Sequence, residues 1–188
     1  MSTAEQSMRL FVAVPVSAKV TEELGNWAQL HKSKIAFRKW THPSDYHITL
    51  QFLGDTVIEQ VEHLKNSLAE IKADSFSLKL NAAGFFGLPK SPRVLWSDVA
   101  GEVERLRSLQ RAVTQATSRL GFEAEKRAYV PHITIARNYN SQDPFPAEML
   151  QMVPSQLSWT ADRFILMRTH MKASPMYENI GSFLLNKG

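Results

Sequence analysis

The 188-residue sequence predicts an α+β fold, with helices packed outside a mainly antiparallel sheet or pair of sheets. Three observations predict it. Three stretches carry apolar residues at helical spacing, and about seven others read as strands, rich in β-branched and aromatic residues. The two kinds interleave along the chain. No Pro/Gly/Ser-rich linker, charge block or low-complexity tract divides them, so one folded unit is expected over residues 8–188. Residues 1–7 are small and polar and are expected to fray.

In chain order, Met8 to Val16 reads as a buried opening strand. Ser17 can cap a helix whose inner face carries Val20, Leu24 and Trp27, although Gly25 within it costs about 1 kcal/mol against alanine. Tyr46 to Leu53 (YHITLQFL) is a strand by composition. Thr56 and Glu59 form a capping-box pattern ahead of a second helix, whose apolar face is Val57, Val61, Leu64, Leu68 and Ile71. Phe76 to Leu80 alternates polar and apolar as a half-buried strand does. Glycine and proline mark a loop from Gly84 to Pro92, and Arg93 to Val99 is the next strand. A third helix is expected from Glu102 to Leu120, with Val103, Leu106, Leu109, Val113 and Leu120 inward and Gly121 ending it. His132 to Arg137, Phe164 to Met171 and Met176 to Leu185 complete the strands.

Composition narrows the function. With no cysteine, disulfides, thiolate metal sites and a cysteine nucleophile are excluded. The apolar run Leu10 to Val16 is too short to span a bilayer and has no small-residue cleavage site after it, so a cytoplasmic protein with no membrane attachment is expected. A net charge of +4 suits an anionic partner such as RNA, and equally suits a soluble protein that is merely basic. No Walker A loop or G-x-G-x-x-G occurs, which leaves nucleoside-triphosphate chemistry without support.

One pattern occurs twice: Tyr46-His47-Ile48-Thr49-Leu50 and Pro131-His132-Ile133-Thr134-Ile135. Side chains alternate along a strand, so each copy buries its aliphatics on one face and presents an imidazole beside a hydroxyl on the other. Two imidazoles with ordinary pKa values near 6.5 can hold opposite protonation states at neutral pH. One can take a proton from water while the other protonates a leaving oxygen. The hydroxyls of Thr49 and Thr134 can hold the non-bridging oxygens of a phosphate between the rings. Such a set suits in-line displacement at phosphorus without a metal or cofactor.

These two motifs resemble those of the two-histidine (2H) phosphoesterase superfamily. With MRLFVAVPV, HITLQFLGD, RVLW and RAYVPHITIAR, the wider context resembles its RNA 2′,3′-cyclic phosphodiesterase branch, historically called 2′-5′ RNA ligases. The resemblance implies a bilobal fold with pseudo-twofold symmetry, each lobe lending one H-x-T strand to a central cleft. It implies hydrolysis of 2′,3′-cyclic phosphate to 2′-phosphate, with a weak, ATP-independent reverse ligation. It makes His47 the proton donor and His132 the acceptor, and maps Arg137 and, with less of the motif behind it, Arg127 onto substrate-binding positions. Strict alternation would turn Arg137 away from His132, so a strand end or twist is required between them. The expected partner is RNA with cyclic phosphate ends, tRNA fragments included, met by a monomer with no obligate protein partner. Two other readings stay open: a phosphodiesterase of small cyclic nucleotides, and a non-catalytic module that grips RNA ends.

Asp45 reads as turn chemistry more readily than as a partner of His47. His31, His42, His63 and His170 have no partners at ligand spacing, so no metal site is expected. Trp40, Phe52, Phe85, Phe86 and Trp96 are the aromatics considered for base stacking, with Phe85-Phe86 expected to be exposed in a loop. Tyr177 is left without a role.

Overall fold

A computed structural model describes residues 6–188; of the residues 1–7 expected to fray, 1–5 lie outside the described residues, and Ser7 already pairs with Val57. The order of elements is β1 (Ser7–Pro15), α1 (Ala18–His31), β2 (Phe37–Trp40), a 3-10 turn (Pro43–Asp45), β3 (His47–Val57), α2 (Ile58–Ala69), β4 (Phe76–Leu88), β5 (Ser91–Gly101), α3 (Val103–Ser118), β6 (His132–Tyr139), a second 3-10 turn (Ala147–Met152), β7 (Ser158–Ala161), β8 (Arg163–Thr169) and β9 (Tyr177–Leu184). The α+β class is as expected. All nine strands join one sheet in the order β7-β4-β5-β6-β3-β1-β8-β9, with β2 beside β6, and every pairing of named strands is antiparallel.

That order has a centre. β3 and β6 meet through a single pair, Ile48 opposite Ile133, and each heads four strands running outward: β3-β1-β8-β9 on one side, β6-β5-β4-β7 on the other. The residue at the crossing is the middle of the H-x-T motif in both copies. The pseudo-twofold arrangement therefore brings the repeated motif together at its own axis.

One face of the sheet holds the main core, where Leu10, Val12, Val14, Ile48, Leu50, Ile133 and Ile135 pack with Leu24 of α1, Leu64 and Leu68 of α2, and Leu106, Leu109 and Val113 of α3. A smaller cluster of Phe11, Ala13, Ile165 and Met167, with Tyr177 against it, lies on the other face. β1 is thus buried on both sides, which explains its unbroken apolar run. Ser17 caps α1 as expected, its Oγ accepting from the Val20 N–H at 3.3 Å. Gly121 stands at φ +89° just past α3, where an L side chain would be strained.

Two expectations need correction. The Thr56/Glu59 capping box does not form: β3 runs on to Val57, Thr56 pairs with Met8, and its hydroxyl donates to the Gly54 carbonyl. Sheet pairing took the residue that the helix signal claimed. Gly84 to Pro92 is no loop, since β4 and β5 continue as a long hairpin turning at Pro89-Lys90. The short strands β2 and β7 carry no period long enough to be read from sequence. No helix among the described residues is long and apolar enough to cross a membrane.

Candidate active site

The two motif strands present their histidines alike. Ile48 and Leu50, Ile133 and Ile135 are buried, while His47, Thr49, His132 and Thr134 are half-buried on the opposite face. His47 Nδ1 lies 2.7 Å from the Asp45 carbonyl, and His132 Nδ1 lies 2.8 Å from the Val130 carbonyl. A carbonyl only accepts, so each Nδ1 carries the proton and each neutral ring offers Nε2 as its free lone pair. In both motifs the carbonyl belongs to the residue two before the histidine, so local chain geometry sets the tautomer. Thr49 donates its hydroxyl to His47 Nε2 at 3.0 Å. In antiparallel register about Ile48 and Ile133, His47 falls toward Thr134 and Thr49 toward His132.

Each ring is walled by two aromatics. Phe11 lies 4.8 Å from the His47 ring and Tyr177 meets it edge-on at 5.3 Å. Phe86 meets His132 edge-on at 5.1 Å, with Trp96 at 6.3 Å. Gly84 makes room for that indole: a Cβ there would stand 2.4 Å from a Trp96 ring carbon. Burial among these rings pushes the His47 pKa down to about 4, against the upward pull of the Asp45 carbonyl bond, and the charges of His132 and Arg137 push it the same way as burial. His132 is lowered too, chiefly by burial, with Arg137 adding to it and Asp98 opposing.

Arg137 does face the histidines, and the device is a β-bulge. Ala136 pairs with Leu95 and Thr134 with Trp96, so Ile135 is an extra residue on β6. Ile135 and Ala136 are buried in succession, the alternation slips by one, and Arg137 returns to the face of His132 and Thr134. Its charge bears on His47, His132 and Tyr177 alike. β3 repeats the bulge: Leu50 is the extra residue opposite β1, Leu50 and Gln51 are buried in succession, and Phe52 takes the place that Arg137 has in β6. The cleft thus has an arginine on one side of its axis and an exposed phenylalanine on the other.

Arg127 is not brought to the pair. Its side chain is 89% exposed, on the irregular segment before β6, and stands 3.7 Å from Glu125. Asp45 does more than turn the chain: its buried carboxylate accepts from the backbone N–H of Met176 at 2.8 Å and of Tyr177 at 3.2 Å, fixing the start of β9 beside His47. Tyr129 donates its hydroxyl to the Thr49 carbonyl at 2.8 Å and ties the two halves together. These contacts span up to 132 positions and left no local sequence signal. Of the aromatics considered for stacking, Phe52 and Phe86 reach solvent, whereas Phe85 leans on Phe145 and Trp40 packs among Trp27 and Phe37. His31 bonds the Trp27 carbonyl, His42 accepts from the Ser44 N–H, and His170 meets Glu178 at 2.7 Å. Surface hollows of about 410 and 310 Å³ open elsewhere, beside Trp159 and Leu109, and no cleft residue lines them.

Residues 14–96 and 98–177 each match the family model described as LigT like phosphoesterase, one H-x-T motif in each. A Bacillus subtilis protein named RNA 2′,3′-cyclic phosphodiesterase is 38% identical over 178 residues, covering 94% of this chain and 96% of its own. One of the same name from Geobacillus stearothermophilus is 37% identical over 178 residues, covering 93% of this chain, which spans only 56% of that protein. The crystal structure of Escherichia coli LigT complexed with 3′-AMP superposes with a TM-score of 0.78 at 24% identity, covering 96% of this chain and 99% of that one, and shares the fold.

Proposed function

The chain belongs to the LigT-like phosphoesterase family, and we propose that it hydrolyses RNA 2′,3′-cyclic phosphate ends to 2′-phosphates by metal-independent acid–base catalysis. The observation that carries this reading is the pair of histidines at the pseudo-twofold axis, each with Nδ1 tied to a backbone carbonyl, and with Nε2 directed away from it, that of His47 toward Thr49. The names of the relatives supply the substrate class.

In this mechanism the cyclic phosphate sits between the rings, its non-bridging oxygens held by Thr49, Thr134 and Arg137. Water attacks phosphorus and gives its proton to His132 Nε2, the P–O3′ bond breaks, and O3′ takes the proton from His47 Nε2. The products are a 2′-phosphate and a free 3′-hydroxyl. With the 5′-hydroxyl of a second RNA in place of water, the same forward exchange makes a 2′-5′ bond. Burial keeps both rings neutral at neutral pH in the free protein, and the substrate's negative charge favours the protonated form of the donor. Thr49, which now bonds His47, turns to the phosphate when it arrives. Among the described residues no three His, Asp or Glu side chains stand together as metal ligands. The proposed setting is a monomer acting on RNA ends, tRNA fragments among them, in the cytoplasm.

The test is to incubate EDTA-treated protein with an oligonucleotide ending in 2′,3′-cyclic phosphate and to resolve the 2′- and 3′-phosphate products. Expected are the 2′-phosphate, and losses of about 10²-fold or more with His47→Ala and with His132→Ala. No turnover, or turnover unchanged in both variants, overturns the mechanism. Tight binding without turnover would instead favour an RNA-end-binding module.

A further inference from the structure

We infer that Lys39 is a second phosphate-binding cation, which takes the internucleotide phosphate next to the cyclic end and makes RNA oligonucleotides better substrates than mononucleoside cyclic phosphates. The inference rests on the reading above and deepens it by choosing between its two substrate classes.

Beyond the Ile48–Ile133 crossing, β2 replaces β3 along that edge of β6. There Lys39 stands directly opposite Arg137, and Trp40 opposite Ala136. Directly opposed residues of an antiparallel pair project to the same face with Cβ atoms about 4.5–5.5 Å apart. The bulge at Ile135 sends Arg137 to the face of the histidines, so Lys39 emerges there beside it. Trp40 and Ala136 go to the core side, which agrees with this division.

The far end of the side chain points the same way. Lys39 Nζ lies 2.8 Å from Met176 Sδ, and Met176 is the residue whose N–H the Asp45 carboxylate holds, next to the tyrosine that stands edge-on to His47. The ammonium therefore hangs at the rim between Arg137 and the Tyr177 corner. A thioether is a weak acceptor, and Lys39 has no carboxylate partner among the described residues. Arg9, Arg107 and Arg163, which serve no cleft, each stand beside a carboxylate. An unpaired, exposed cation adjoining a phosphate-binding arginine favours a second anion at about one residue's spacing. A mononucleoside cyclic phosphate has no second phosphate to offer, whereas an RNA end does.

The experiment compares kcat/KM for a mononucleoside 2′,3′-cyclic phosphate with that for a tetranucleotide bearing the same end, in the native protein, Lys39→Gln and Lys39→Arg, at two salt concentrations. The native protein should prefer the tetranucleotide. In Lys39→Gln the tetranucleotide-to-mononucleotide ratio should fall about tenfold, and the slope of log kcat/KM against log salt for the tetranucleotide should fall by about 0.7. Lys39→Arg should restore most of both. Equal effects on the two substrates, no effect, or no native preference overturns the role of Lys39. Failure of the native protein on both substrates overturns the proposed reaction itself, so the two failures are distinguishable.

Discussion

At the scale of the residue, the histidines are held by their own backbone and tuned by their neighbours. The surroundings of His47 lower its pKa to about 4, and burial is the main cause. The unfolded chain protonates this side chain near 6.5, so between those values it binds more protons than the folded protein, and stability rises with pH. Acidification from pH 6.5 toward 4 should therefore remove stability from the native protein faster than from His47→Gln. Urea unfolding at a series of pH values measures it, and parallel curves for the two proteins would contradict the burial argument. The lowering of His132, the proton acceptor, places the acid limb of kcat/KM for a cyclic phosphate below pH 6.5. A limb at or above that value would mean the rings are solvated as in a peptide.

Elements carry the site through contacts that no single motif contains. The bulges at Leu50 and Ile135 decide which side chain follows each threonine into the cleft, and the long β4–β5 hairpin delivers Phe86 and Trp96 to His132. Gly84→Ala should drive a methyl group into the Trp96 ring, which lies 2.4 Å from the required position. Overpacking of this kind costs about 1–3 kcal/mol, and thermal unfolding together with kcat reads both the loss and the displaced wall. Asp45 joins β9 to the start of β3. Asp45→Asn turns one of its two acceptor oxygens into an N–H facing the backbone N–H of Met176 or Tyr177, while the residue 45 carbonyl still holds His47. A loss of about 1–3 kcal/mol is expected, with faster hydrogen exchange at both amides. Exchange unchanged at those amides would show that β9 keeps its place by other contacts.

At the scale of the molecule, the two halves share one sheet and one main core. Ile48 pairs with Ile133, Tyr129 holds the Thr49 carbonyl, and Thr117 of α3 donates to Gln51 of β3 at 2.7 Å. With ties of this kind across the axis, the halves should not unfold apart. Trp40, Trp96 and Trp159 stand on β2, β5 and β7 on the β6 side, so fluorescence reports chiefly on that half while circular dichroism reports on the whole sheet. Denaturation followed by tryptophan fluorescence and by far-UV circular dichroism should give coincident transitions, and separated midpoints would mean that the lobes are independent.

The sequence by itself determined the α+β class, the three helices, the two motif strands and the face on which each histidine and threonine lies. Those features follow from periods of two and 3.6 residues, which are local and legible without a partner strand. Tertiary structure alone decided which side chains meet the rings. Arg137 reaches the cleft only because pairing with β5 leaves Ile135 unmatched, and Thr56 caps no helix because β1 claims it. Phe11, Phe86, Trp96 and Tyr177 surround the histidines from strands far away in the chain, and Lys39 joins Arg137 through a four-residue strand too short to show a period. Register, bulges and long-range hydrogen bonds depend on which edges find each other, and that is a property of the assembled sheet rather than of any stretch of its sequence.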